Sequence, residues 1–437
     1  MSTQAQPTIA LLHWGDLIED FLDSIGVSFE AFCKEMTGGW LFGYIEALKL
    51  TGVRTVLFCI SARVTEPMRY IHKPTGATIC VLPAPKIYQV VRRPMLNPNG
   101  WTVEDVFGDV RGVRRRLFAV FRDVAPYLAT PLVGLARELR REGCQAILCQ
   151  EYEYARFDAC VLLGQLMRLP VFATFQGGDF QLSRLERPLR PLTIGACAGL
   201  IVGTQTEVQR VQSQYGVPSA KLARIFNPMD VANWHAMDRS EARAELDIPL
   251  NAQVVVYHGR IDIHRKGLDI LLDAWQQVLS ERPERDLRLL LVGTGSDADK
   301  LHQRLAQMDL PGVMWRDEYV RDRTLIQRYL SAADVYTLPS RHEGFPVAPI
   351  EAMSCSLPVV ATDAPGVPEI LEGGEASGGL VVPRGDATAL ASALGRILDN
   401  ETWMRELGQR ARCRAELCFS LEAIGKQLRD FLISREV

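Results

Sequence analysis

Short apolar runs alternate along this chain with longer stretches in which apolar and polar residues recur at helical spacing. In the first half, Thr8–Trp14, Thr55–Ser61, Gln145–Gln150, Pro170–Phe175, Leu200–Gly203 and Ala223–Phe226 read as strands. The second half supplies Val254–His258, Leu287–Val292, Asp334–Leu338, Pro358–Thr362 and Leu380–Val382. Continuous apolar runs this short, separated by amphipathic segments, predict parallel sheets covered by helices on both faces, and hence an α/β fold. A linker is expected near Asn227–Ala236, between the two sets. No internal repeat or low-complexity segment interrupts the pattern.

Length adds that there are two such sheets, because 437 residues exceed what one hydrophobic core organises. A net charge of -3 and a pI near 6.2 lack the basic bias of a nucleic-acid binder, so no nucleic-acid partner is expected. The ten cysteines form no C-x2-C pair and read as reduced thiols, and the seven histidines lack metal-ligand spacing. The polar start Met-Ser-Thr-Gln-Ala-Gln-Pro has no apolar signal core, and no apolar run reaches about 18 residues. The expected location is cytoplasmic.

Candidate chemistry concentrates in Ser340-Arg-His342-Glu343-Gly344-Phe345-Pro346-Val347-Ala-Pro-Ile-Glu351-Ala-Met353, which follows a strand and opens a helix read as Val347–Cys355. A helix start offers unpaired N–H groups and partial positive charge, so the diphosphate of a nucleotide sugar fits beside Gly344, Phe345 and Val347, whereas Pro346 cannot donate. Glu343, on the loop, is placed to accept from sugar hydroxyls. Glu351 leans back toward the helix start and is placed to accept from ribose hydroxyls. Spacing alone does not decide this, since with 23% charged residues two glutamates eight positions apart also arise by chance. Upstream, Arg260 ends a strand after Gly259, and Lys266 opens the next helix. Both can meet phosphate, Arg in bidentate fashion and Lys as a point charge, and either taken alone also reads as a solvated surface charge.

Glu343-Gly-Phe-Pro-x3-Ile-Glu351-Ala-Met, followed by Leu357-Pro-Val-Val-Ala361-Thr-Asp, resembles the E-x7-E signature of retaining glycosyltransferases of the GT-B fold, family 4. His258-Gly259-Arg260-Ile-Asp262 with Lys266-Gly267 is similar to that family's strand–GR–loop–KG–helix segment. Gly366-Val-Pro-Glu369 and Gly379-Leu-Val-Val-Pro383-Arg-Gly-Asp386 resemble its later loops. The likeness is strong over residues 199–400 and fragmentary before them. It implies two Rossmann-like domains facing across a cleft, with residues 1–228 binding acceptor and 229–418 binding the donor. A last helix, 419–437, would cross back to the first domain.

The same resemblance implies transfer of a sugar from a nucleoside-diphosphate sugar to a hydroxyl acceptor, with retention, by a front-face route in which the donor's own phosphate takes the acceptor proton. Glu343, Arg260 and Lys266 carry the catalytic roles in that reading, and Gly38, Gly39, Gly259, Gly344, Phe345, Val347 and Glu351 bind donor. By family frequency the donor is UDP-linked, UDP-glucose first. The acceptor stays open among small metabolites, saccharides and lipids. No cofactor and no metal are expected. Asp297-Ala-Asp299 has D-x-D spacing, but it opens a helix after Val292-Gly-Thr-Gly295, so its acids read as caps. The same glycines lack the third member of a dinucleotide fingerprint. A GT-B epimerase of nucleotide sugars, or a catalytically silent protein that binds them, remains the alternative.

The chain departs from the family pattern in two places. About 24 residues, Gly15 to Thr37, intervene before Gly38-Gly39 and are expected to shape the acceptor pocket. After the strand ending at Phe175, Gln176 stands where the family commonly has His. An amide hydrogen-bonds sugar but does not shuttle protons, so Gln176 is a candidate for sugar contact only; Asp179 reads as an acceptor contact or loop structure, and His342 as a donor-sugar contact or loop packing. Finally, Lys86, Arg92, Arg93, Arg111, Arg114, Arg115, Arg116 and Arg122 interleave with Met95, Leu96, Trp101, Val113, Leu117 and Phe118. The favoured reading of segment 86–122 is a solvated helix face with its apolar side packed inward; a weak peripheral membrane contact and an anionic acceptor are the other two.

Overall fold

The computed structural model describes residues 6–98, 100, 102–175, 183–320 and 322–433. Two compact units result: residues 1–229 together with 424–437, and residues 230–423. The first is built on an eight-stranded sheet of β1 (Thr8–Leu12), β2 (Arg54–Ser61), β3 (Met68–Ile71), β4 (Thr78–Pro83), β5 (Ala146–Cys149), β6 (Val171–Thr174), β7 (Gly199–Val202) and β8 (Leu222–Arg224). Its order is β3-β4-β2-β1-β5-β6-β7-β8, parallel except where β3 runs against β4. The chain starts at the centre with β1, whose five residues are all buried, builds outward through β2 and β4, then returns to add β5 on the other side. Strand order therefore reverses between β1 and β5. Sheet residues such as Val56, Phe58 and Ile147 meet Phe157, Leu163 and Leu200 in the core.

β3 and β4 escape the sequence reading. Met68 and Ile71 of β3 are exposed and its other two residues half-buried, so it shows no apolar run, and the hairpin blunts the sheet edge. The final helix, Leu421–Ile433, belongs to the first unit from Ile424 onward. There Arg429 donates to the Thr51 carbonyl at 2.9 Å and the Phe431 ring meets Phe172 at 5.5 Å.

The second unit holds six parallel strands: β9 (Gln253–His258), β10 (Leu287–Val292), β11 (Val313–Arg316), β12 (Val335–Leu338), β13 (Val359–Thr362) and β14 (Gly379–Val382). Their order is β11-β10-β9-β12-β13-β14, the doubly wound arrangement, with its reversal between β9 and β12. β11, an edge strand only partly buried, also escapes the sequence reading. A buried guanidinium ties the starts of β9 and β12 together. Arg243 binds Asp334 Oδ2 at 2.9 Å and the Ala252 and Ala332 carbonyls, and the same Asp334 oxygen accepts from the Val254 amide at 2.8 Å. Burial pushes the Asp334 carboxyl up against the opposing pull of Arg239, which pairs with Oδ1 at 2.5 Å, and of Arg243, and it pushes the Arg243 guanidinium down.

Candidate functional site

In an open α/β sheet the crevice for a ligand lies beyond the carboxyl ends of the strands, where the order reverses. In the second unit that point lies between His258, the end of β9, and Leu338, the end of β12; the two strands pair Val335 with Val255 and Tyr336 with Val256. Both motif tracts leave the sheet there.

The loop after β9 is built locally. Asp262 caps the short helix Ile263–Lys266 by accepting from the Arg265 amide at 2.9 Å, and Gly267 closes it with φ +66°. A Cβ on Gly267 would lie 2.0 Å from the Pro339 carbonyl, so only glycine lets this turn rest against the chain leaving β12. The contact continues with the Arg265 carbonyl accepting from the amides of Arg341 and His342 at 2.9 and 3.3 Å, while Arg341 forks onto Asp269 at 2.7 Å through both nitrogens. The His342 and Arg265 side chains are exposed.

That scaffold delivers Glu343. Its Oε1 accepts from Lys266 Nζ at 2.6 Å and from the Ser340 hydroxyl at 2.6 Å, and the Ser340 carbonyl in turn accepts from Thr362 at 2.5 Å. The Glu343 side chain is 7% exposed and Lys266 20%, so the pair is largely desolvated. An ammonium has three donors, and this contact occupies one. The two residues expected to contact sugar and phosphate are thus held together by each other.

Glu351 lies on the helix Ala348–Ser354, and its Oε2 contacts His258 Nε2 at 2.7 Å. A carboxylate can only accept, so Nε2 is assigned the proton. The imidazole is buried edge-on to Tyr336, with Nδ1 unpartnered among the described residues. Val347 is the residue before the helix rather than its first, and no described group accepts from its amide or from that of Gly344. The turn after β13 presses on the same loop: Gly366, at φ +83°, would bring a Cβ within 2.2 Å of the Gly344 carbonyl. Phe345 packs toward Phe419 at 6.2 Å. Arg260, beyond Gly259, is exposed, and its guanidinium meets no carboxylate among the described residues.

Asp297 corrects the expectation of capping. It donates no cap to its own helix; Oδ2 accepts from the Ile263 amide at 3.0 Å and Oδ1 from Lys300 at 2.7 Å, which holds its carboxyl below the usual range. It ties the second helix start to the loop after β9, and Asp299 is exposed. Among the described residues no three His, Cys, Asp or Glu side chains gather as metal ligands.

In the first unit, Gly38 takes φ +66° and the helix Gly39–Leu50 begins directly after it. Gln176 and Asp179 lie outside the described residues, as does Trp101. The stretch from Gly15 to Thr37 holds two short helices, Ile18–Ser24 and Phe29–Lys34. Sequence reasoning missed the polar cluster at the β1/β5 reversal. Buried Arg156 donates to the carbonyls of His13 at 2.7 Å and Asp16 at 2.5 Å, and the Asp16 carboxylate accepts from Tyr88 at 2.9 Å. Burial raises the Asp16 carboxyl to about 6 against the opposing pull of Arg156. Its signal was available: His13 and Asp16 directly follow the first strand, where a doubly wound sheet gathers function.

Residues 252–400 match the family described as Glycosyl transferases group 1. The chain is 31% identical over 237 residues to a D-inositol 3-phosphate glycosyltransferase of Kineococcus radiotolerans, covering 51% of this chain and 54% of that one. To the protein of the same name from Corynebacterium efficiens it is 27% identical over 335 residues, covering 72% and 76%. It spans about half the length of several other relatives so named. Among solved structures, the sucrose-phosphate synthase of Thermosynechococcus elongatus superposes with TM-score 0.62 at 20% identity, covering 97% of each chain. Anabaena HepE in complex with UDP superposes with TM-score 0.66 at 18% identity, covering 98% of this chain and 100% of that one. The fold is GT-B, and over residues 252–400 the chain is similar to the Glycosyl transferases group 1 family.

Proposed function

We propose that this chain is a retaining glycosyltransferase that moves a sugar from a UDP-linked donor to a hydroxyl acceptor. The observation that carries the reading is the arrangement at the β9/β12 reversal: two acids of an E-x7-E tract, each paired with a basic residue from the β9 segment. Glu351 has one carboxylate oxygen engaged by His258 and a second to accept from ribose hydroxyls. The unpaired amides of Gly344 and Val347, the two spare donors of Lys266 and the exposed Arg260 supply positive potential for a diphosphate. Relatives named as D-inositol 3-phosphate glycosyltransferases, and HepE structures with UDP and with UDP-glucose, support a nucleotide-sugar donor with a uridine base.

In this reading the bond between the anomeric carbon and the diphosphate oxygen breaks while a bond to the acceptor oxygen forms on the same face, and the acceptor proton passes to the departing phosphate. Lys266 and Arg260 stabilise the charge that builds on the leaving group, and Glu343 both orients Lys266 and accepts from the donor sugar. Electrostatic preorganisation of this kind carries the rate without a protein base. Metal independence follows if these cations suffice. The test is acceptor-dependent release of UDP from UDP-glucose across a panel of sugar, inositol and lipid acceptors, with NMR of the first product. An inverted anomeric centre, or interconversion of donor sugars without acceptor, defeats the reading, and full Mg2+-reversible loss in chelator defeats metal independence.

A further inference from the structure

Helices Lys86–Arg92, Val103–Phe107 and Gly112–Leu128 pack into a cluster whose inner face is already filled: Tyr88, Met95, Val103, Val106 and Phe107 are buried, with Phe118 and Phe121 against them. The sequence suggested that the remaining apolar residues also turn inward, and here the structure differs. Ile87, Val90, Leu96, Val113, Leu117 and Val120 are between 51% and 83% exposed. Val113, Leu117 and Val120 stand at i, i+4 and i+7, so they form one outward stripe on the long helix. Of the eight basic residues here, Arg92, Arg111, Arg115 and Arg122 pair with Asp20, Asp109, Glu104 and Asp123. Lys86, Arg93, Arg114 and Arg116 have no acidic partner among the described residues. No described helix is long and apolar enough to cross a membrane.

We propose that this face docks the protein on an anionic lipid surface, with Val113, Leu117 and Val120 entering the headgroup boundary and the unpaired Arg114 and Arg116 of the same helix meeting lipid phosphates. The inference stands independently of the transferase reading. Exposed apolar residues interleaved with uncompensated cations on one helix match an interfacial helix rather than a solvated one. A second copy meeting this face symmetrically would set the same cations against each other, and nucleic acid would leave the apolar stripe unused. The test is sedimentation of the full chain with vesicles of mixed phosphatidylglycerol and phosphatidylcholine, against phosphatidylcholine alone, at low and high salt. Binding is expected only to the anionic vesicles and to fall with salt. Arg114→Ala/Arg116→Ala should weaken it roughly 25-fold, about fivefold per basic residue, and Val113→Asp/Leu117→Asp should abolish it, both with unchanged melting. No binding at low salt, unchanged binding by the Asp variant, or a dimer in solution lost with that variant would each overturn the proposal.

Discussion

Replacing Lys266 with alanine separates its pairing with Glu343 from its proposed role in sugar transfer. In the native fold its ammonium lies 2.6 Å from Glu343 Oε1, whose side chain is only 7% exposed. Without Lys266 that carboxylate keeps a single hydrogen bond, from Ser340. Breaking a fully buried pair costs about 3–5 kcal/mol; the partial exposure of Lys266 reduces this to about 2–3 kcal/mol. At 2–4 °C per kcal/mol for a domain of this size, melting of the second unit should fall by roughly 4–12 °C. Adding Glu343→Gln removes the orphaned charge, so the double variant should regain most of the stability. Donor turnover should behave differently. Loss of Lys266 should cost about 30- to 1,000-fold, or about 2–4 kcal/mol of transition-state stabilisation, and the double variant should not recover it. Scanning calorimetry and initial rates of UDP release on the four proteins complete the cycle. If Lys266→Ala melts within a degree of wild type, or if the double variant is less stable than either single one, the pair is not the coupled element described here.

Gly267→Ala would force a Cβ to within 2.0 Å of the Pro339 carbonyl at φ +66°, so it should destabilise by about 3 kcal/mol or more and weaken UDP binding in any folded fraction; wild-type melting would contradict the packing. Asp16 has a folded-state carboxyl raised to about 6, so its protonated form suits the fold. Its stabilising effect is complete below about pH 4 and is lost as pH rises through about 6, a swing of roughly 3 kcal/mol. Asp16→Asn should therefore flatten that part of the stability profile; an unchanged slope between pH 4 and 6 assigns the titration elsewhere. Of the cysteines, eight are buried, Cys418 is partly covered and Cys413 is exposed. Native thiol titration should give one fast equivalent, lost in Cys413→Ser, and the buried eight should react only on unfolding.

The central strands of the second unit were legible because their residues are buried on both faces and so form unbroken apolar runs. Val254–His258 and Leu287–Val292 are examples, found as Gln253–His258 and Leu287–Val292. The edges were not: β3 and β11 are four residues each and none of their residues is buried, so neither forms a buried apolar run. The tract around Glu343 and Glu351 was legible as a strand, loop and helix carrying chemistry. Its pairings were not, because Lys266 with Glu343 and His258 with Glu351 join residues 77 and 93 positions apart, brought together by the pairing of β9 with β12. Segment 86–122 misled for a related reason. Met95, Val106 and Phe118 already fill its interior, which leaves Val113 and Leu117 no room inside.

Calorimetric titration of UDP into the wild-type chain and into Glu351→Ala tests the central claim most directly, since it asks whether the β9/β12 reversal holds a nucleotide without needing the acceptor. One UDP should bind per chain, and Glu351→Ala should weaken it about 10- to 100-fold, as expected for lost hydrogen bonds to a charged acceptor. A folded wild-type chain that binds no UDP, or a Glu351→Ala variant that binds it as tightly as wild type, would contradict the account.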